Sequence, residues 1–282
     1  METIKCKERG NIGYITFNRP GVGNAINYQM AEELAAWMNN FILSNERSGL
    51  TVLILAGSCN NFMYGADISA FTKGPKYVDE FTTNARHFMR MLTAIPPVSI
   101  AVVEGYALGG GLEVALSCDY IIASESAKLG LPEINFGLIP GAGGTQLLPQ
   151  KIGYYKSTEM ILTGGTIDAQ QAKEYGLVDE VAIQDELMQT ALFLGRQTEF
   201  NKRSFKAFDQ APAELSIMNT AKSLEGITSN KPKYAIDAAI KCLRASINSP
   251  DFITESKCFE ECLRREETQS RIKSFLKRNF KF

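Results

Sequence analysis

Hydrophobic and polar positions follow two different rhythms along the 282-residue chain. Short apolar, β-rich runs recur through its first half: GYITF at 13–17, TVLILAG at 51–57, PPVSIAVVEG at 96–105 and DYIIAS at 119–124. Runs of this length, bounded by turn residues, predict strands. Between the first two, NYQMAEELAAWMNNFILSNE sets Met30, Leu34, Trp37, Met38, Phe41 and Ile42 at helical spacing, with Asn27 placed to cap the helix. The Trp and Met stripe reads as core. Strands alternating with helices predict a largely parallel sheet, hence an α/β protein.

From about residue 185 glycine thins out and helix-length segments dominate: DELMQTALFLGRQ, SFKAFDQ, PKYAIDAAIKCLRAS and FITESKCFEECLRREETQSRIKSFLKR. Amphipathic helices of this kind need a surface to cover them, so docking on the main body or on another subunit is expected. There is no Pro/Gly/Ser linker, repeat or low-complexity segment. The expected organisation is an α/β core over 1–184 followed by a helical C-terminal subdomain over 185–282.

Composition narrows the chemistry. Hydrophobic residues make up 45% and charged residues 22%, with a formal net charge of −1. That is the mixture of an ordinary globular protein and gives no sign of a nucleic-acid partner. No apolar run is long enough to span a bilayer and METIKCKERG lacks the apolar stretch of a signal peptide, so no membrane partner and a cytoplasmic location are expected. The six cysteines (Cys6, Cys59, Cys118, Cys242, Cys258, Cys262) are scattered, without a CxxC pair. Cys258 and Cys262, four apart, read as two buried thiols on one helix face. The single histidine, His87, lies in the helix-like ARHFMRML, so a histidine-rich zinc site cannot be built and no metal is expected.

The stretch GYALGGGLEVALSCD, 105–119, places three consecutive glycines between a buried strand and an apolar helical run. At such a turn the free N–H groups and the positive end of the helix dipole converge, which suits a developing oxyanion. Tight helix packing would also use these glycines. Glu113 falls in the first helical turn. Nucleotide readings fail on spacing, because neither GxGxxG nor GxxxxGK[ST] occurs. A second turn, NNFMYGADIS at 60–69, emerges at the same end of the sheet, and the N–H groups near Ala66 are available as a second donor. In KLGLPEINFGLIPGAGGTQLL, 128–148, Glu133 follows a proline among apolar residues, where desolvation raises a carboxyl pKa toward general-acid use. The alternative is a helix-start acid that favours the dipole.

Taken in order, NRPGVGNAIN, FMYGADI, PPVSIAVVEGYALGGGLEVALSCD, LGLPEINFGLIPGAGGTQLLP and TGGTIDAQQAKEYGLVDEV resemble the enoyl-CoA hydratase/isomerase, or crotonase, superfamily over nearly the whole chain. The resemblance implies a crotonase fold of repeated ββα turns with a helical C-terminal region that mediates trimerisation, and a homotrimer or homohexamer. It implies an acyl-CoA substrate with coenzyme A as part of it and no separate cofactor. By motif, the oxyanion hole is the backbone N–H groups of Ala66 and Gly110. Glu113 orients and deprotonates a water that attacks the β-carbon, and Glu133 exchanges a proton with the α-carbon. Tyr64, Asp67, Ile68, Gly109, Pro140 and Gly141 are the implied substrate-binding residues. Isomerases of the superfamily usually keep one of the two carboxylates, so having both points to hydration.

Two departures bear on the substrate. Gly21-Val22-Gly23 stands where many hydratases carry a basic residue for the coenzyme's phosphate, with Arg19, Lys277 and Arg278 as candidate substitutes. Met63-Tyr64 replaces a small pair before GAD, so a bulky ring is expected to narrow the pocket. These keep open an acyl group carried on an acyl carrier protein, and also 3,2-enoyl-CoA isomerisation. An RNA-binding module without catalysis is disfavoured by the near-neutral charge.

Overall fold

A computed structural model describes residues 1–198, 202 and 210–279. The first half runs β1 (Ile4–Arg9), β2 (Ile12–Phe17), α1 (Tyr28–Ser48), β3 (Val52–Gly57), α2 (Pro75–Leu92), β4 (Val98–Val103), β5 (Tyr106–Leu108), α3 (Gly110–Leu116) and β6 (Tyr120–Ser124). It continues through β7 (Lys128–Gly130), α4 (Gly144–Thr163), β8 (Thr166–Asp168), α5 (Ala169–Glu174) and β9 (Glu180–Ala182). Helices α6 (Leu187–Thr198), α7 (Gln210–Ser223), α8 (Glu225–Thr228), α9 (Lys233–Ala245), α10 (Phe252–Leu263) and α11 (Glu266–Asn279) follow. The expected segment SFKAFDQ falls at 204–210, almost wholly outside the described residues.

Six strands form one sheet in the order β1-β2-β3-β4-β6-β9, antiparallel only between β1 and β2. Burial explains the strand sequences. β4 is buried at every position, as a central strand covered on both faces must be, whereas edge strand β1 buries only Ile4. Alternate residues divide between the two faces. Leu53, Leu55, Ala101, Val103 and Ile121 point into the main core with α1 and α2, while Val52, Ile54, Ile100, Val102 and Ile122 pack against Leu187 and Ala191 of α6. The main core also takes in Ile217, Ala239, Cys258, Phe259 and Ile272, so the C-terminal helices dock on the body as their patterning requires. Asn27 caps α1, its side chain accepting from Met30 N at 2.9 Å. Among the described residues no helix is long and apolar enough to cross a membrane.

A second, smaller sheet of three-residue strands, β5-β7-β8, positions the site. β5 runs parallel to β7 with Leu108 opposite Gly130, and Gly109 N donates to Gly130 O at 2.9 Å. The segment leading to Ala66 lies on the other side of β5: Met63 N donates to Tyr106 O (2.8 Å) and Leu108 N to Met63 O (3.0 Å). Three parallel tracks therefore end side by side. The first ends in the 65–67 turn, the second in α3, and the third in the short 3₁₀ turn Pro132–Phe136. Glu113 and Glu133, twenty residues apart in sequence, meet because β5 and β7 are neighbours in register.

Candidate active site

Ala66 and Gly110 supply two inward-facing N–H groups. Gly110 is the first residue of α3, so its N–H has no acceptor within the helix. Around Ala66 the chain pairs through its neighbours: Ile26 N donates to Gly65 O (2.7 Å) and Asp67 N to Ile26 O (2.8 Å), which turns the Ala66 N–H the other way. The two donors are close, since a Cβ built on Gly110 would stand 3.5 Å from Ala66 N. Bringing them together needs glycines on either side. Gly65 has φ +93° and a Cβ there would meet Leu108 O at 2.6 Å. Gly109 has φ +51° and a Cβ there would come within 2.9 Å of the Glu133 carboxyl.

Glu113, 4% exposed, points from the first turn of α3 to the turn that opens α4. Its Oε1 accepts from Ala142 N at 2.7 Å and from Gly144 N at 2.9 Å. Burial pushes its pKa up, while these backbone donors, the Gly141 N–H and the Arg86 guanidinium pull against that shift.

Glu133 stands across the same cavity with the opposite surroundings. Its Oε2 is enclosed and accepts no hydrogen bond. Burial, and the carboxylates of Glu113 and Glu255, drive its pKa well above the ordinary carboxylate range, opposed only by its own backbone N–H. Two glutamates in one cavity are thus pushed apart, one furnished with donors for a negative charge and one without them.

The cavity is lined by Ala66, Gly109, Gly110, Glu113 and Glu133, and by Tyr64, Ile68 and Gly141. Phe71, Phe81, Met89, Phe259 and Ile272 make its far wall apolar. Two other sequence-named residues lie off this lining. Asp67 caps the 3₁₀ turn Ile68–Thr72, accepting from Ser69 N (3.2 Å) and Ser69 Oγ (2.7 Å), and pairs with Arg19 at 3.5 Å. Pro140 is buried against Gly144, where an added Cβ would come within 2.5 Å of its ring. Arg19 also donates to Ala25 O at 2.5 Å, so its guanidinium is occupied. Lys277 and Arg278 stand in the last turn of α11. His87 is on α2 with its ring Nε2 2.8 Å from Asn39 Oδ1, and Cys258 and Cys262 are buried free thiols.

The Gly21–Gly23 and Tyr64 departures prove to be one feature. The Tyr64 ring lies over Gly23, whose Cβ would stand 2.2 Å from it, and meets Tyr106 edge-on at 5.3 Å. Both tyrosines are largely exposed. Sequence reading missed two buried charged residues beside the site, Arg86 and Glu255. Glu255 falls on the stripe that buries Cys258, Phe259 and Cys262, and an acid on an apolar stripe is the signal that marks it.

The enoyl-CoA hydratase/isomerase family model matches residues 7–240. A probable enoyl-CoA hydratase of Rhizobium meliloti (strain 1021) is 40% identical over 191 residues, 68% of this chain and 73% of that protein. The 2,3-dehydroadipyl-CoA hydratase of Escherichia coli (strain K12) is 32% identical over 258 residues, 89% of this chain and 99% of that one. Among solved structures, the enoyl-CoA hydratase of Bacillus anthracis superposes with a TM-score of 0.66 at 29% identity, covering 98% of this chain and 96% of that chain.

Proposed function

The chain belongs to the enoyl-CoA hydratase/isomerase family and has its α/β crotonase fold, and from that premise we propose that it is a hydratase of 2-enoyl-CoA thioesters. The observation that carries the reading is the unequal pair: Glu113 held by backbone donors and Glu133 enclosed without one, in one cavity with two inward N–H groups.

The thioester carbonyl oxygen accepts from Ala66 N–H and Gly110 N–H, which draws electrons from the double bond and stabilises the enolate-like charge as water adds. In other enzymes one such donor is worth about 2.7–4 kcal/mol. With Oε1 of Glu113 saturated by Ala142 and Gly144, its Oε2 holds the water and takes a proton as oxygen attacks the β-carbon. Glu133, protonated because its surroundings penalise charge, delivers a proton to the α-carbon. The product is the 3-hydroxyacyl thioester, and dehydration runs the same steps backwards. The apolar far wall takes the acyl chain. Assembly into a trimer or hexamer is part of the proposal, supported by Leu215, Met218, Ile227 and Ile253 exposed on and beside the C-terminal helices.

Crotonyl-CoA is the direct test: loss of the conjugated thioester's ultraviolet absorbance on adding enzyme supports hydration. If a 3-enoyl-CoA is converted to the conjugated isomer while crotonyl-CoA is left untouched, the protein is an isomerase instead. One observation favours a second reading, carrier-protein substrates. Arg19, the basic residue nearest Gly21–Gly23 in sequence, is engaged by Asp67 and Ala25 and so is not free for a coenzyme phosphate. Comparing kcat/KM for one enoyl group on coenzyme A and on an acyl carrier protein separates the two.

A further inference from the structure

The turn from Gly141 to Thr145 is gripped at successive peptides by charged side chains from three separate helices. Arg86 of α2 donates from Nε to Gly141 O at 2.8 Å. Glu113 of α3 accepts from Ala142 N and Gly144 N. Glu255 of α10 takes the alternate pair, accepting from Gly143 N at 2.5 Å on Oε1 and from Thr145 N at 2.8 Å on Oε2, with the Thr145 hydroxyl donating to the same Oε2. Gln146 donates in turn to Thr145 Oγ1 at 2.7 Å. Arg86 is tied back to α10 by an ion pair with Glu260 at 2.9 Å, and its guanidinium lies over the Phe259 ring.

The arrangement is costly unless it does something for the site. Glu255 is 1% exposed, and a carboxylate buried to that degree is tolerated only where donors surround it. The free N–H groups at a helix start are commonly left to water apart from one taken by a capping side chain, as at α1 and α10, where Asn27 and Asp251 each accept from a single backbone N–H. Here two carboxylates on opposite sides take alternate N–H groups, and one of them is the residue assigned as base.

We infer that Glu255 is a positioning residue for Glu113: by holding Gly143 and Thr145 from α10, it fixes the orientation of the Ala142 and Gly144 N–H groups that aim Glu113 at the water. The inference rests on the hydratase reading for the role of Glu113. Helix α10 is then part of the catalytic apparatus as well as a wall of the cavity, with Arg86 holding the Gly141 end of the turn.

The pair is also coupled electrostatically. Burial and the nearby Glu113 carboxylate raise Glu255 to about 8, against the three donors it accepts from. Glu255 in turn raises Glu133. The ionisable groups facing it are Glu113 from α3, Glu133 from the 3₁₀ turn and the Cys242 thiol from α9, with Arg86 reaching Glu113 from α2. As pH rises through about 8 Glu255 becomes charged, and Glu255→Gln removes that charge, so Glu133 loses its proton more readily and the alkaline limb of the hydration profile moves down.

The test compares the parent, Glu255→Gln, Glu255→Asp and Thr145→Val, each as the full chain. Thr145→Val deletes one donor to Glu255 and leaves both carboxylates in place, so it serves if Glu255→Gln does not fold. Hydrogen exchange of the peptide spanning 140–146 reads the turn independently of any reaction. Expected in Glu255→Gln are exchange there at least about tenfold faster, a kcat at least about tenfold lower with little change in KM, and an alkaline limb displaced to lower pH. Glu255→Asp keeps the charge and recovers part of kcat and the limb, and Thr145→Val shows a smaller loss of the same kind. Unchanged exchange, a parental kcat, or a lowered plateau with unmoved limbs would each overturn the positioning role. A parent that hydrates no enoyl thioester would overturn the hydratase reading instead, with the exchange data still reporting on the turn.

Discussion

The two turns that flank the cavity carry the same side chain in opposite company. At the Gly141–Thr145 turn Glu113 meets backbone N–H groups and, beyond them, an arginine. At the Pro132–Phe136 turn Glu133 meets apolar neighbours and two other carboxylates, and its Oε2 accepts nothing. Both carboxyls are desolvated, so desolvation alone does not distinguish them. What differs is the supply of donors: desolvation raises both, backbone N–H groups and Arg86 offset it at Glu113, and at Glu133 the neighbouring carboxylates add to it. On the proposed reading, the division of labour between identical residues is a property of the two backbones.

The largest effects should come from erasing either side of that contrast. On the proposed hydratase reading Glu113→Ala removes the base and Glu133→Gln removes the transferable proton, and each is expected to slow crotonyl-CoA hydration by at least about 10²-fold. Next comes a change that disturbs the Glu133 side without touching the glutamate. In Gly109→Ala the added Cβ would crowd the carboxyl at 2.9 Å in a left-handed backbone, shifting Glu133 and the adjacent Gly110 N–H together. Its kcat is expected to fall by about 10–10²-fold, a large part of one oxyanion-hole donor.

A stability measurement sharpens the same contrast. The raised pKa of Glu133 in the folded chain means that its protonated form is stabilising below about 4.5, its unfolded value, and that this contribution is lost as pH climbs through the folded value. Glu133→Gln stays neutral, so its Tm should exceed the parent's by a margin that widens as pH rises above about 4.5 toward the raised folded value, reaching at least about 2 °C. Glu113→Gln, whose amide oxygen can still take the Ala142 and Gly144 N–H groups, should show a smaller margin, because those donors and Arg86 already offset part of the cost of the charge there. The smallest effect is at the mouth of the cavity. Tyr64→Ala loses one edge-on aromatic contact of about 0.5–1.5 kcal/mol and should change KM by roughly two- to tenfold with kcat nearly unchanged.

Much of this was legible along the chain because its signals are local. The Asn27 cap, the apolar strands, the glycines before α3 and the position of Glu113 in its first turn all depend on residues within a few places of one another. The small sheet was not legible, since three-residue strands have no periodicity to read, yet the Leu108–Gly130 register is what brings the glutamates together. Asp67 illustrates a motif residue turned inward to cap its own turn and pair with Arg19. Arg86 and Glu255 lie 55 to 112 residues from the backbone groups they hold, so no spacing rule connects them. Only the buried stripe on α10 marks Glu255 as unusual.

The protonation state of Glu133 is the most direct test, read from the infrared carbonyl stretch of a protonated carboxylic acid. In the difference between parent and Glu133→Gln at neutral pH, the parent should show one more protonated-acid band, and the corresponding Glu113→Gln difference should remove a carboxylate band. Loss of a carboxylate band in Glu133→Gln would mean that Glu133 is the charged partner, and the assignment of acid and base would fall.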